Sequence, residues 1–532
     1  MTDSVQNRKS FFHTHGFTNA INGAIAEIQE LYLSDDTPWV IGYSGGKDST
    51  AVTQLVWLAL NKLANAEIPR KPVYVITTDT QVENPIVAAW VRNSLETMDR
   101  CAKADNLPIQ VKLLEPAIED SFWVNLIGKG YPAPRQGFRW CTERLKIKPA
   151  SQFIEQTANR YGEAILLLGA RKAESAARSA SLSKRERLTK EGLTAHNELV
   201  STLVYAPIQD WSDDDVWMFL TRIPNPWGHS NKDLLALYRG ATEDNECPIV
   251  VDTSAPSCGN SRFGCWVCTL VDQDKSMKAM IQNDTDKSWM RPLLEFRNEL
   301  DFRGEEERKR EHERREFRRL RGAPSLNRTA DDLVPGPYTQ AARATWLRRL
   351  LEVQSEIRQN PETPDALKSI QLISRKELEA IRQLWVEKKH EIEDLVPKIY
   401  QQVEGKHYSD VVEEPPAMDD ESLRILADVA GGDQLHYETI RNLIDVESRF
   451  RKGGVSIARR GLFKELQSVI ESGYFRDRAD ALAWAQSRSK SHLNAAIDTV
   501  DHRLFGEIPE IPLMEADYLE AETSETGASN AV

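Results

Sequence analysis

Six consecutive residues, Ser44-Gly45-Gly46-Lys47-Asp48-Ser49, join adjacent glycines, a cation and small oxygen donors in a pattern suited to holding a phosphate chain. The glycines let backbone amides close around an anion without side-chain collision, and Lys47 adds a mobile charge. The first amides of a following helix lack intrahelical partners and carry the positive end of its dipole. Asp48 or Ser49 can cap that helix or help hold a phosphate-bound Mg²⁺. The spacing is not that of a Walker A loop, because no G-x-x-x-x-G-K-[ST] is present.

The second set of candidates is thiols. The chain has six cysteines: Cys247, Cys258, Cys265 and Cys268 in one region, Cys141 upstream and Cys101 apart. The tightest piece runs from Ser257 to Thr269 as C-x₆-C-x₂-C. Two thiolates two residues apart can grip one metal centre, and the nearby Gly259 and Gly264 let backbone amides approach sulfur. On spacing alone an iron–sulfur cluster and a zinc knuckle are equally compatible, and a structural or redox role for the thiols is the third reading. So few cysteines in 532 residues, with no secretory leader at Met1-Thr2-Asp3-Ser4, argue against disulfides and for a reducing cytoplasm. Cys101, in an Arg-Cys-Ala-Lys helix, reads as a packed thiol.

These groups need elements to position them. Apolar strand runs at 39–43, 73–77, 109–114, 164–168 and 204–207 alternate with helical patterns, which predicts a doubly wound, mostly parallel α/β sheet with ligands beyond the carboxyl ends of its strands. Ser44, Asp79 and Gly169 all fall at such ends. The spacing of Phe17, Ile21, Ile25, Ile28 and Leu31 predicts a helical lead-in over 1–30. Residues 180–200 are polar and basic and read as a mobile loop, and 224–292 reads as irregular, with a metal centre supplying part of its cohesion. Residues 293–321 read as one charged helix with internal ion pairs, the competing reading being a surface that contacts a DNA backbone. Helices are expected over 341–400 and 421–500, where the glycines within Arg451–Arg460 read as a helix-to-helix turn before a phosphate site. The resulting domains are 1–223 for nucleotide binding, 224–300 for the cysteines, 301–506 for a helical region and 507–532 for a disordered acidic tail.

The formal charge of −13 gives no global attraction to nucleic acid, so any DNA contact must come from a local patch. No run of roughly 18 apolar residues is present, so nothing is expected to span a membrane. No internal repeat of solenoid period is found.

Several stretches carry a family resemblance. Ser44–Ser49 is similar to the S-G-G-x-D-S loop of the ATP pyrophosphatase superfamily, whose members split ATP between its α and β phosphates. Thr77-Thr78-Asp79-Thr80 follows the second strand, and Arg139–Pro149 resembles the R-x-C-x-x-x-L-K element of sulfonucleotide reductases. Gly169–Arg178 resembles their G-x-R-x-x-E-S-x-x-R element, and Pro207–Trp217 their P-I-x-x-W-x-x-x-D-V-W element. The chain departs from true reductases in its length and in lacking a Glu-Cys-Gly-x-His near its end, which counts against sulfonucleotide reduction. Asp79–Pro85, Pro226-Trp227-Gly228, Ser257–Val271 and Asp274-Lys275-Ser276-Met277 resemble the DndC family of DNA phosphorothioation sulfurtransferases; a sister family from single-strand phosphorothioation systems shares the same core.

The resemblance implies an adenine nucleotide alpha hydrolase-like fold with an iron–sulfur insertion and a C-terminal helical region. It implies ATP, Mg²⁺ and a [4Fe–4S] cluster as cofactors, and DNA, a cysteine desulfurase and other phosphorothioation proteins as partners. Ser44, Gly45, Gly46, Lys47, Asp48, Ser49, Asp79, Gly169 and Arg171 would bind the nucleotide. Lys47, Asp48, Lys146, Arg171 and Arg178 would serve catalysis, the cations stabilising charge at phosphorus. Cys141, Cys258, Cys265 and Cys268 would hold the cluster and Cys247 would carry sulfur, with Cys247 and Cys258 exchangeable in those roles. The other enzyme reading is thiolation of an adenylylated tRNA base. A nucleotide-gated iron–sulfur scaffold without turnover is a third.

Overall fold

The computed structural model describes residues 10–63, 71–173, 193–196, 198–241, 263–319, 323–408, 418–452, 459–473 and 475–501. The described residues form two compact units, one from residues 10–117 together with Pro134–Asn298, the other from Ile118–Ala133 and residues 299–501.

The first unit is built on six strands: β1 (Trp39–Gly42), β2 (Val73–Thr78), β3 (Ile109–Leu114), β4 (Ala164–Leu167), β5 (Thr194–Ala195) and β6 (Thr202–Tyr205). Their order is β3-β2-β1-β4-β6-β5, parallel throughout except for β5, which pairs antiparallel with β6 at the edge. The period-two alternation of side chains decides which face each residue covers. Trp39, Ile41, Val73, Val75, Ile165 and Leu167 join a core shared with the helices Phe17–Leu33, Lys47–Leu63, Pro85–Ala104 and Asp213–Arg222. Val40, Tyr74, Ile76 and Leu166 point the other way, toward Ile154 on the helix Lys148–Tyr161. Both faces are therefore covered, as runs without polar alternation require.

The chain leaves β1 toward β2 and β3, then crosses back to place β4 on the other side of β1. The crevice between the carboxyl ends of β1 and β4 is the topological switch point where ligands of open α/β sheets bind.

Some details differ from the sequence expectations. The lead-in is two helices, Phe11–His15 and Phe17–Leu33, broken at Gly16 with φ 76°. Within the stretch expected to be a loop, Thr194–Ala195 forms the edge strand, while residues 174–192 lie outside the described residues. The 224–292 stretch is more regular than expected, with helices at Asn231–Gly240 and Lys275–Asn283, because Ser230 and Asp274 cap their amino ends. The single charged helix over 293–321 is corrected to two, Arg291–Leu300 and Glu305–Glu313. After Glu313 the chain leaves the helix: Arg315 donates to the Gly336 and Pro335 carbonyls and Arg319 to Pro335, so backbone acceptors draw these guanidiniums away from it. Within Glu305–Glu313 the ion pairs Lys309–Glu305, Lys309–Glu306 and Arg310–Glu307 match the solvated-helix reading.

The second unit is otherwise helical, with Gln340–Gln359, Arg375–Gln383, Leu395–Glu404, Asp420–Ala430, Gln434–Lys452, Arg459–Ser472 and Arg478–Asp501. Most of the Arg451–Arg460 turn and the tail from 507 lie outside the described residues.

Asp215, the acidic residue of the Pro207–Trp217 motif, is fully buried and closes a capping box with Ser212. It also accepts from the amides of Phe11 at 2.9 Å and Phe12 at 3.2 Å and from the Ser10 hydroxyl, tying the amino-terminal helix to the sheet. Burial pushes its pKa up, but the hydrogen bonds from Ser10, Ser212 and Phe11 outweigh that and leave it below 3.8. Its stabilising contribution is therefore present above the ordinary carboxylate pKa and lost as the pH falls through the lowered folded-state value. Asp215→Asn should cost about 1–3 kcal/mol at pH 7. In urea titrations the gap from wild type should narrow below about pH 4; a gap independent of pH would contradict the assignment.

Candidate active site

The phosphate loop leaves β1 at Gly42 and enters the helix Lys47–Leu63. Ser49 holds it shut: its hydroxyl accepts from the Ser44 amide at 3.2 Å, donates to the Gly46 carbonyl at 3.0 Å and receives the Ser44 hydroxyl at 3.1 Å. Gly45 has φ +74°, and a Cβ there would lie 2.4 Å from Val91 Cγ2. Trp90 Nε1 donates to the Gly45 carbonyl at 3.3 Å, fixing the turn from outside.

The β4 loop closes on this helix start. A Cβ on Gly169 would sit 2.8 Å from the Asp48 carbonyl carbon and 3.0 Å from the Ser49 amide nitrogen, so two backbones meet where only hydrogen fits. Two residues on, Arg171 is 2% exposed. Its Nε donates to Asp48 at 2.7 Å and another of its nitrogens to Asp213 at 2.5 Å. Lys47 Nζ lies 3.3 Å from Asp48 and 3.5 Å from Asp213. Two cations and two carboxylates thus form a balanced quartet at the helix amino end.

Burial opposes charge on Lys47, yet Asp48, Tyr238 and Asp213 together raise its pKa above 10.5, so it is cationic at neutral pH. Burial likewise pushes Asp213 up, but Lys47 and Arg171 outweigh it and hold the carboxyl below 3.8. Arg171 is paired to two carboxylates, which makes it a positioning group that fixes Asp48 and Asp213 around Lys47. Asp79, after β2, accepts from the Gln81 amide at 2.8 Å and pairs with the exposed Arg92 at 3.3 Å.

The thiols gather at the end of the neighbouring strand. Because β1 and β2 are parallel neighbours, the phosphate loop and the Thr80–Glu83 segment open at the same edge of the sheet. Glu83 bridges to Cys265, the Trp266 amide donates to the Val82 carbonyl at 2.9 Å, and the Cys268 amide closes a turn on the Cys265 carbonyl at 3.0 Å. Cys265 Sγ is 3.4 Å from Thr80 Oγ1 and 3.8 Å from Glu83 Oε1. Arg297, 1% exposed, donates to the carbonyls of Cys268, Asp272 and Val271, so one guanidinium shapes the turn after the C-x₂-C.

Cys141 enters from Trp140–Thr142, which runs into the wide helical turn Glu143–Ile147. Bonding from residue i to i+5 in such a turn aligns residues five apart, and it puts Lys146 on the side of Cys141. Lys146 Nζ is 3.7 Å from Glu83 Oε1. Its pKa is raised, first by the Cys265 sulfur and then by Glu83, with Cys141 and Cys268 adding smaller contributions. Burial pushes Cys265 up to about 12 and Cys141 up to about 11, helped by Glu83 and Cys268 respectively. Both are therefore neutral thiols at pH 7.

Apart from Asp79, which is engaged by Gln81 and Arg92, the predicted site residues among the described ones fall into two groups. Ser44–Ser49, Gly169 and Arg171 converge at the β1–β4 crevice, and Cys141, Lys146, Cys265 and Cys268 converge beyond β2. Lys146 belongs with the sulfurs, while Lys47 and Arg171 belong with the loop. Arg178, Cys247 and Cys258 lie outside the described residues. Among the described residues, no three His, Cys, Asp or Glu side chains form a closed metal shell. The donor set of three mutually influencing thiols beside a lysine nevertheless suits a thiolate-ligated centre, whose binding must release the thiol protons.

Sequence reasoning missed Asp213, Tyr238, Glu83 and Arg297. Asp213 lies inside the Pro207–Trp217 motif, two residues before Asp215, and Glu83 lies inside Asp79–Pro85. Tyr238 and Arg297 carry no motif signal.

Residues 38–270 match the model of the phosphoadenosine phosphosulfate reductase domain. An uncharacterized protein of Methanocaldococcus jannaschii is 25% identical over 271 residues, which are 51% of this chain. The match spans 44% of that relative's length. Among solved structures, the phosphoadenylyl-sulfate reductase of Candida auris is 14% identical with a TM-score of 0.25, covering 42% of this chain and 87% of that one. The U34-tRNA thiolase of Methanococcus maripaludis, determined with its [4Fe–4S] cluster, is 14% identical with a TM-score of 0.26, covering 56% and 88%. No helix among the described residues is long and apolar enough to cross a membrane.

Proposed function

We propose that this protein is an ATP-dependent sulfurtransferase that adenylylates a phosphate oxygen of the DNA backbone and replaces that oxygen with sulfur. The observation that carries the reading is the phosphate loop at the switch point, where Gly169 closes on Asp48 and Lys47 opens the helix whose first amides face the loop. Those amides and Lys47 hold the β and γ phosphates of ATP. The Lys47–Arg171–Asp48–Asp213 quartet is already neutral, so a polyphosphate brings net negative charge that Mg²⁺ offsets.

A non-bridging oxygen of the diester attacks the α phosphorus, the bond to the β-phosphate oxygen breaks, and pyrophosphate leaves. The outer sulfur of a persulfide then attacks the DNA phosphorus and AMP departs with the original oxygen. A second thiol takes the inner sulfur into a disulfide and frees the phosphorothioate. Cys247 is the proposed sulfur carrier, loaded by a cysteine desulfurase. Lys146, beside the thiols, supplies positive charge where the anionic sulfur approaches.

Cys141, Cys265 and Cys268, with Cys258, would hold a [4Fe–4S] cluster through four thiolates, leaving sulfur carriage to Cys247. Cys265→Ser should remove the brown visible absorbance of anaerobically purified protein; persistence of the colour would remove Cys265 from the ligand set.

Mass spectrometry of digested DNA from cells expressing the protein with its desulfurase should find sulfur-containing dinucleotides. Their absence together with newly thiolated tRNA nucleosides would replace the DNA reading by the tRNA one.

A further inference from the structure

The helix Asn231–Gly240 brings Tyr238, 7% exposed, against the phosphate loop. The Lys47 amide donates to Tyr238 Oη at 3.3 Å, and a Cβ on Gly46 would lie 3.1 Å from that oxygen. Lys47 Nζ stands 5.7 Å from the ring centroid. The ring is held edge-on by Trp217, with centroids 5.0 Å apart, and by Phe263 at 4.8 Å.

The phenol oxygen therefore spends a lone pair on a loop amide, while its own O–H has no acceptor among the described residues. A buried hydroxyl with an unused proton is costly unless a ligand accepts from it. Burial keeps the phenol protonated, with its pKa raised above 10.0. Asp48 and Asp213, also near the phenol, are engaged by Lys47 and Arg171, and beside that cation and the loop amides the acceptor that fits is a phosphate oxygen.

We infer that Tyr238 is a ligand of the nucleotide's outer phosphates, anchored by the Lys47 amide and donating its hydroxyl proton to a phosphoryl oxygen. The inference rests on the nucleotide-binding reading above and adds a binding residue to it. The tyrosine also joins the two groups of the site, because Phe263, packed on its ring, stands two residues before Cys265.

The test is Tyr238→Phe in the full chain, which keeps the ring packing and removes only the hydroxyl. Binding of inorganic pyrophosphate and of ATP is measured by calorimetry, with adenosine as the phosphate-free probe. Loss of a hydrogen bond to a charged group predicts roughly 10- to 100-fold weaker binding of pyrophosphate and ATP, with adenosine unaffected. Equal affinity in variant and wild type would overturn the inference and leave the proposed function standing. Tighter pyrophosphate binding by the variant would also overturn it, since the phenol would then be a placeholder that the ligand must expel. If wild type binds neither pyrophosphate nor ATP, the nucleotide reading itself fails and takes this inference with it.

Discussion

Gly169→Ala should cut the rate of ATP cleavage about 100-fold while leaving the sheet intact. The added carbon would lie 2.8 Å from the Asp48 carbonyl carbon and 3.0 Å from both the Asp48 oxygen and the Ser49 nitrogen. All three are backbone atoms at the start of the helix Lys47–Leu63, so no flexible side chain can turn aside. Either the β4 loop retreats or the helix start is pushed away, and the amides shift with it. A misplacement of about 1 Å at a reacting centre costs on the order of 10²-fold in rate. The stability cost of such overpacking is about 1–3 kcal/mol, small enough to leave a folded protein. Gly23→Ala is the control: its Cβ would meet nothing within 4 Å in the helix Phe17–Leu33, and it should be neutral or slightly stabilising. Steady-state release of pyrophosphate separates the two variants; equal rates would mean that the β4 loop does not set the phosphate loop.

Arg171→Met should have the largest effect on stability in the first unit. The substitution leaves Asp48 and Asp213 to share Lys47, and breaking a buried charge network by removing one member costs about 3–5 kcal/mol. With domain stabilities of about 5–15 kcal/mol, a large part of the margin disappears. Arg171→Lys should recover only a fraction, because one ammonium cannot reproduce the fork that gives Nε to Asp48 and a terminal nitrogen to Asp213. Chemical denaturation of the three proteins checks this, and a lysine variant as stable as wild type would show that charge, not geometry, is what Arg171 provides.

The contrast between these two positions explains what was legible in the sequence. Gly169 and Arg171 sit in one matched element, but the sequence gives no hint that the glycine serves a backbone approach and the arginine an ion-pair network. The strands were legible because each carries an apolar run between turn residues, and the helix after Ser49 because its apolar groups recur at helical spacing. The charged stretch after residue 293 was misread because its composition looks uniform. What decides the break there is tertiary: the carbonyls of Pro335 and Gly336, some twenty residues later, accept from Arg315.

The thiol site was half legible. The C-x₂-C and Cys141 announce themselves by residue type, whereas Glu83 and Thr80 reach Cys265 only because the chain after β2 pairs with it across more than 180 residues. The family resemblance groups Lys146 with Lys47 as a cation at phosphorus; its place beside the sulfurs follows from a wide helical turn that no composition pattern encodes. Tyr238 lay in an ordinary amphipathic helix, and only the fold brings its hydroxyl to the loop.

The most direct measurement is the identity of the phosphate released from ATP in the presence of DNA and a persulfide donor. With ATP labelled at the α phosphorus, the loop at the β1–β4 crevice predicts AMP in solution and an equal amount of unlabelled pyrophosphate. ADP with orthophosphate, or ATP left intact, would contradict the account at its root.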